Sequence, residues 1–314
     1  MYDSETDPLA PTSGPTVAEP DPWSPPSKPT DERLADRRPT RRIVAIVTVA
    51  VIGVVALLVG TGSTEPHPLT VGTWDVVFFD EFRGDELDED TWTTCYWWDD
   101  DGCTIASNDE LEWYQPDNVT LSDGELRLTA RAEDVSAPDG REFPYTSGMV
   151  TSGRDADDLE EDPGFAFTYG YAEARVRLPA GPGLWPAFWL LAADHESRPE
   201  IDIMEADGSE PSSYGTYVHV EGPDGEDLDK GTRHSTADLT ADWHVFGVLW
   251  EDDQLIWYLD DSEAYRIEQD VPDEPMYLIL NLAVGGEYVG DPGESTEFPA
   301  TFAVDWVRVS QRQP

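Results

Sequence analysis

With 314 residues, the chain can build one large domain or two small ones. It carries 66 acidic side chains against 19 Lys and Arg, a net charge of −47. Such a field repels nucleic acid and anionic membrane surfaces, and it disfavours strongly anionic substrates such as sulfated polysaccharide. It also fits a salt-tolerant surface.

Residues 1–42 are rich in Pro, Ser, Thr, Asp and Glu and poor in large apolar residues. That composition cannot bury a core, so a disordered tail is expected. It ends in Arg37-Arg38-Pro39-Thr40-Arg41-Arg42, and an uninterrupted apolar or small-residue run follows over 43–60. As a helix rising about 1.5 Å per residue, this run is roughly 27 Å long, enough to span a bilayer. Arginines lie before it and none follow closely, so a single-pass membrane anchor is expected, with the tail in the cytoplasm and the rest extracellular. The alternative is a cleaved leader, with Gly60-Thr61-Gly62 as the small-residue site and a secreted product. Residues 61–72 read as a linker, and 73–312 as the folded domain.

Cys95 and Cys103 are the only cysteines. Outside the cell they read as a short-loop disulfide. Two cysteines do not make a zinc site, and the five histidines show no ligand spacing.

From residue 71 onward the pattern is one of short strands between Gly, Pro, Asp and Asn turns. Alternating segments at 76–79, 125–130, 171–178, 243–250 and 302–309 predict strands, and 255–260 pairs with 243–250 as a hairpin. No long segment of helical period appears. The predicted fold class is therefore all-β, a sandwich of two antiparallel sheets. A monomer is expected.

The densest chemistry lies in Glu200-Ile201-Asp202-Ile203-Met204-Glu205. Side chains alternate on a strand, so Glu200 and Asp202 share one face and Ile201 and Ile203 the other. Strict alternation would send Glu205 into the core, where an unpaired carboxylate is costly. One extra residue, a β-bulge near Met204, returns it to the face of the other two acids. Strand geometry and inward-leaning side chains then leave the two glutamate carboxyls ~5 Å apart, the separation of a retaining glycosidase. One Glu would attack an anomeric carbon and the other would protonate the leaving oxygen. Asp202 between them would help hold the two pKa values apart. The plainer reading is a surface strand with solvated acids.

Neighbouring stretches favour the sharper reading. In Gly183-Leu184-Trp185-Pro186-Ala187-Phe188-Trp189-Leu190-Leu191, Trp185 and Trp189 share a face, placed to stack on sugar rings. His219, on Thr216-Tyr217-Val218-His219-Val220, is placed to bond a sugar hydroxyl. The strand through Asn281 closes on Gly285-Gly286, where backbone and ligand approach closely. Ser107-Asn108-Asp109-Glu110-Leu111-Glu112-Trp113-Tyr114 adds an amide and aromatics. For each of these a structural role is the alternative.

Together with Asp80-Glu81-Phe82, Gly170-Tyr171-Ala172-Glu173-Ala174-Arg175 and Val304-Asp305-Trp306-Val307-Arg308-Val309, these stretches resemble glycoside hydrolase family 16. The Met in the bulge resembles its laminarinase-type branch. The resemblance runs over roughly 75–310. It implies a jelly-roll sandwich, with Glu200 as nucleophile, Asp202 as its assistant and Glu205 as general acid/base, and no cofactor for catalysis. Trp185, Trp189, Asn108, His219 and Asn281 would line sugar subsites. It also implies a structural calcium held through Glu81 and Asp305, for which a solvated acid pair is the simpler alternative. One departure is that Arg198-Pro199 stands just before Glu200, without the Trp or Gly many relatives place there. The expected activity is endo-hydrolysis of β-1,3 or mixed β-1,3/1,4 bonds of a β-glucan. The alternatives are transglycosylation on surface β-glucan, depolymerisation of a succinoglycan-like exopolysaccharide, and glucan binding without catalysis.

Overall fold

The computed structural model describes residues 67–97, 102–154, 162–194, 198–222 and 224–313. The expected tail (1–42), the anchor (43–60) and the first half of the linker (61–66) lie outside the described residues. Among the described residues, no helix is long and apolar enough to cross a membrane.

The described residues form the predicted all-β sandwich. One sheet has eight strands, in the order Ser262–Ile267, Leu255–Leu259, His244–Trp250, Gly170–Arg177, Ala300–Arg312, Glu125–Ala130, Val119–Ser122, with Trp74–Asp80 also pairing onto Ala300–Arg312. The other has seven, in the order Asp227–Ser235, Ser213–Glu221, Glu200–Glu205, Leu184–Ala192, Met276–Val284, Met149–Thr151, with Ala166–Phe167 also pairing onto Met276–Val284. Pairing within both sheets is antiparallel.

Period-two patterning sets the faces. In Glu125–Ala130, Leu126, Leu128 and Ala130 are buried while Glu125, Arg127 and Thr129 are not. Ile201, Ile203, Met204, Phe188, Leu190 and Leu280 point from the seven-stranded sheet into the main core. There they join Trp257, Val248, Phe246, Ala174 and Val307 of the other sheet.

A second apolar cluster lies on the opposite face of the seven-stranded sheet. Tyr96 and Tyr114 cover Trp189, Leu191, Tyr277 and Ile279 there, with Trp97, Cys103 and Ile105 packed alongside. The Cys95–Cys103 disulfide is formed, and it belongs to this covering layer. Met276–Val284 is thus sandwiched on both sides, and all nine of its residues are buried. A sheet covered on both faces reads as a continuous apolar run, which is how this strand looks in sequence. The acid strand and Ser213–Glu221 lie beyond this cover, so the site falls on the open half of the face.

The folded body begins earlier than the expected 73. His67 packs edge-on against Tyr171 at 5.2 Å, and Leu69 and Trp74 pack on a cluster of Tyr171, Leu249, Ile256 and Tyr258. The last residues of the expected linker are therefore a docked part of the domain.

Candidate active site

The acid strand carries the bulge that its sequence demands. Against the strand before it, Trp189 faces Asp202 but Phe188 faces Met204 and Ala187 faces Glu205, so Ile203 is the extra residue. Against the strand after it, Asp202 faces Tyr217 and Glu205 faces Gly215, again one residue out of step. Ile203 and Met204 both turn into the main core. Glu205 therefore emerges on the side of Glu200 and Asp202, where its Oε1 accepts a hydrogen bond from Trp185 Nε1 at 2.9 Å.

The three acids sit close together, with Asp202 the most deeply set. Asp202 is 3% exposed, and Glu200 and Glu205 are half-buried. Burial pushes the Asp202 carboxyl up to about 7 despite a hydrogen bond with Glu200. Burial, reinforced by the Asp202 charge, pushes Glu205 up to about 8, and His219, Trp185 and Arg233 pull against that rise. Glu200 is also raised, by burial and by its acidic neighbours. Like charges at one site cannot all ionise freely, so the cluster holds a proton at neutral pH. Glycosyl transfer with retention needs a carboxylate that attacks beside a carboxylic acid that donates, and a pair of neighbouring carboxyls sharing protons is suited to both.

His219 sits opposite Glu200 on the neighbouring strand. Its Nε2 lies 3.2 Å from Asp202 Oδ2, and its Nδ1 is 2.9 Å from Asp229 Oδ1. Both ring nitrogens thus face carboxylates, which departs from the expectation that they address a sugar hydroxyl. Glu200, Asp202 and His219 present ligand atoms within 4.8 Å of one another, a set able to hold a metal ion.

Trp185 is the aromatic that stays at the open face. Its indole lies over Tyr288 at 5.0 Å between ring centroids. Trp189 and Asn281, in contrast, are only 6% and 4% exposed. Trp189 Nε1 donates to Asn281 Oδ1 at 2.8 Å, and Asn281 Nδ2 donates to Tyr114 Oη at 3.0 Å. The structure corrects the expectation of sugar contacts for these two. Tyr96 and Tyr114, distant in sequence, fold over them, so they form a floor beneath the site.

Asn108 lies at the rim. Its Nδ2 donates to Glu110 Oε1 at 2.9 Å, and Ile105 N donates to Glu110 Oε2 at 3.2 Å. The glycine pair explains how this segment is seated. Gly286 has φ +92°, and a Cβ there would lie 2.8 Å from the carbonyl oxygen of Asn108. The close approach expected at Gly285-Gly286 is thus to the chain's own backbone.

Three further residues, Tyr217, Arg233 and Tyr288, join the site. Tyr217 lies two positions before His219, on the same strand face, so strand period alone could have found it. Arg233 Nη1 donates to Tyr288 Oη at 2.9 Å, and Glu210 and Ser213 hold its Nη2 at 3.1 and 3.2 Å. Tyr288 follows the glycine pair in a turn, where no periodicity marks it.

The two expected calcium ligands, Glu81 and Asp305, each meet an arginine. Glu81 pairs with Arg83, and Asp305 pairs with Arg175. Each of these carboxylates thus has a guanidinium partner in this structure.

The family model described as "Glycosyl hydrolases family 16" matches residues 106–308. An endo-1,3-1,4-beta-glycanase of Rhizobium meliloti is 35% identical over 252 residues, covering 74% of this chain and 50% of that protein. A beta-glucanase of Rhodothermus marinus is 34% identical over 75% of this chain and 85% of its own length. The X-ray structure of an endo-beta-1,3-glucanase from Pyrococcus furiosus matches with a TM-score of 0.66 and 34% identity, covering 76% of this chain and 94% of that one. This chain spans about half the length, or less, of several curated relatives it matches.

Proposed function

This chain belongs to glycosyl hydrolase family 16, and from that premise we propose that it is a retaining endo-glycosidase cutting internal β-1,3 or mixed β-1,3/1,4 bonds of a β-glucan. The observation that carries this reading is the bulge at Ile203, which sets Glu205 on the same open face as Glu200. The names of the Rhizobium, Rhodothermus and Pyrococcus relatives support the substrate class.

In this reading Glu200 attacks the anomeric carbon. Glu205, whose carboxyl keeps its proton until about pH 8, protonates the departing glycosidic oxygen. The glycosyl–Glu200 ester then forms as the bond to the leaving sugar breaks. Glu205, now a carboxylate, takes a proton from water, whose oxygen attacks the same carbon from the opposite side and frees Glu200. Asp202, hydrogen-bonded to Glu200, orients the nucleophile and modulates its charge. Trp185 and Tyr288 offer ring faces to the sugars.

The experiment is Glu200→Gln assayed on neutral β-1,3-, mixed β-1,3/1,4- and acidic β-glucans, with the product anomer followed by NMR. The variant is expected to lose hydrolysis and keep glucan binding, while the wild-type enzyme releases the β-anomer first. Full activity in Glu200→Gln, or initial release of the α-anomer, sinks the reading.

We further propose a cell-surface location, with 43–60 as the anchor and the enzyme domain outside. The arginine-flanked apolar run and the disulfide support it. Recovery of the full chain from the soluble cytoplasmic fraction would contradict it.

A further inference from the structure

His219 is held by more than its own strand. Asp229 lies directly opposite it in the Ser213–Glu221 and Asp227–Ser235 pairing, so the two side chains share a face. Asp229 Oδ1 meets His219 Nδ1 at 2.9 Å and also accepts from Arg198 Nη1 at 2.8 Å. Arg198 is tied further, through Nη1 to the carbonyl of Val220 at 3.4 Å and through Nη2 to Asp227 Oδ2 at 3.7 Å. Arg198 stands two residues before Glu200. The contacts therefore close a ring from the start of the acid strand, across two strands, and back through His219 to Asp202.

We propose that Arg198 and Asp229 form a strut that fixes the His219 ring against Asp202, making Asp229 a positioning residue for the Glu200–Asp202 pair. The proposal rests on the catalytic reading above. Which nitrogen an imidazole offers, and in what direction, is set by what its other nitrogen bonds. With Nδ1 committed to Asp229, Nε2 is left 3.2 Å from Asp202 Oδ2, close to a buried oxygen that has no hydrogen-bond partner of its own. The ordinary alternative is a surface ion pair of little consequence. Three features argue against it. Asp229 has two partners at once, the histidine it holds touches a carboxyl that is almost wholly buried, and hydrogen bonds from His219 and Arg198 outweigh burial to keep Asp229 below its ordinary pKa.

The strut also gives the edge strand Asp227–Ser235 a purpose. Residues two apart share a face, and here that face carries Asp229, Gly231 and Arg233. A Cβ at Gly231 would meet the Tyr217 ring at 2.2 Å, and Arg233 holds Tyr288. An otherwise exposed edge thereby backs the site at three successive positions.

The test is a double-mutant cycle with Asp229→Asn, His219→Asn and the double variant on the preferred glucan, alongside Glu200→Gln. Asp229→Asn is expected to lower kcat about tenfold, as loss of an orienting partner commonly does, with KM and melting temperature unchanged. In the His219→Asn background the same change is expected to add nothing. Arg198→Gln should lower kcat severalfold in the same direction, and it carries the test should Asp229→Asn fold poorly. Wild-type kcat in Asp229→Asn, a loss confined to KM, or losses that multiply in the double variant would overturn the strut. Any of those with Glu200→Gln inactive leaves the catalytic reading standing. An active Glu200→Gln removes that reading and the strut with it.

Discussion

The indole N–H of Trp257 crosses the core and donates to the main-chain carbonyl of Asp202 at 2.9 Å. Trp257 belongs to the eight-stranded sheet and Asp202 to the seven-stranded one, so this bond ties the acid strand to the opposite layer. It lands where the register slips, and a bulge disrupts ladder pairing there. A buried carbonyl without a partner costs about 1–3 kcal/mol. The tryptophan thus helps to make the irregular backbone tolerable.

Trp257→Phe keeps an aromatic ring in the core but removes this donor. We expect a loss of about 1–3 kcal/mol in unfolding free energy, read by chemical denaturation. A fall in kcat should accompany it as the spacing of Glu200 and Glu205 loosens. Unchanged stability would mean that the bulge does not depend on the tryptophan.

Glu205 carries its proton until about pH 8, so the basic limb of kcat/KM is expected near that value. Trp185 donates to the ionised form and holds the pKa down. Trp185→Phe removes that donor, and the basic limb should move to higher pH. A pH–rate profile of both proteins checks the direction, and a shift to lower pH would contradict the assignment of the general acid.

The same group makes folding depend on pH. Glu205 titrates near 4.5 when unfolded and at about 8 when folded, so between those values the folded state binds the proton more tightly. Its contribution to stability is complete below about pH 4.5 and is lost as pH rises through about 8. Glu205→Gln removes this dependence. The melting temperature of the variant relative to wild type is expected to rise between pH 5 and pH 9, while hydrolysis is lost. A difference that is constant with pH would show that the carboxyl is not protonated in the folded protein.

Local patterning made the acid strand legible, bulge included, because the cost of a buried glutamate can be read from six residues. Strand faces followed from period two, which put Trp185 with Trp189 and Phe188 with Leu190. What period two cannot report is a second layer. Tyr96 and Tyr114 cover Trp189 and Asn281 from more than seventy residues away, and nothing in 183–191 marks that cover. Asp229 and Arg198 were hidden for the same reason, since they meet only once three strands are paired. Tyr288 lies in a turn reached through the positive-φ glycines 285 and 286, where no repeat applies.

The two tryptophans of one strand face should therefore separate by experiment. Trp185 lies tilted against Tyr288 at the open face, so Trp185→Ala removes a ring available to sugars. A stacking contact worth about 1–1.5 kcal/mol corresponds to a rise of roughly tenfold in KM, with a further fall in kcat because Glu205 loses its donor. Trp189 lies under Tyr96 and donates to Asn281, out of reach of a polysaccharide. Trp189→Phe retains the packing but leaves Asn281 Oδ1 without this donor in a buried setting, at a cost of about 1–3 kcal/mol in stability. Its KM should stay at the wild-type value. Steady-state kinetics beside thermal denaturation of both variants decides the matter. A raised KM with unaltered stability in Trp189→Phe would put that indole back among the sugar contacts, and the covering layer would then have to open when glucan binds.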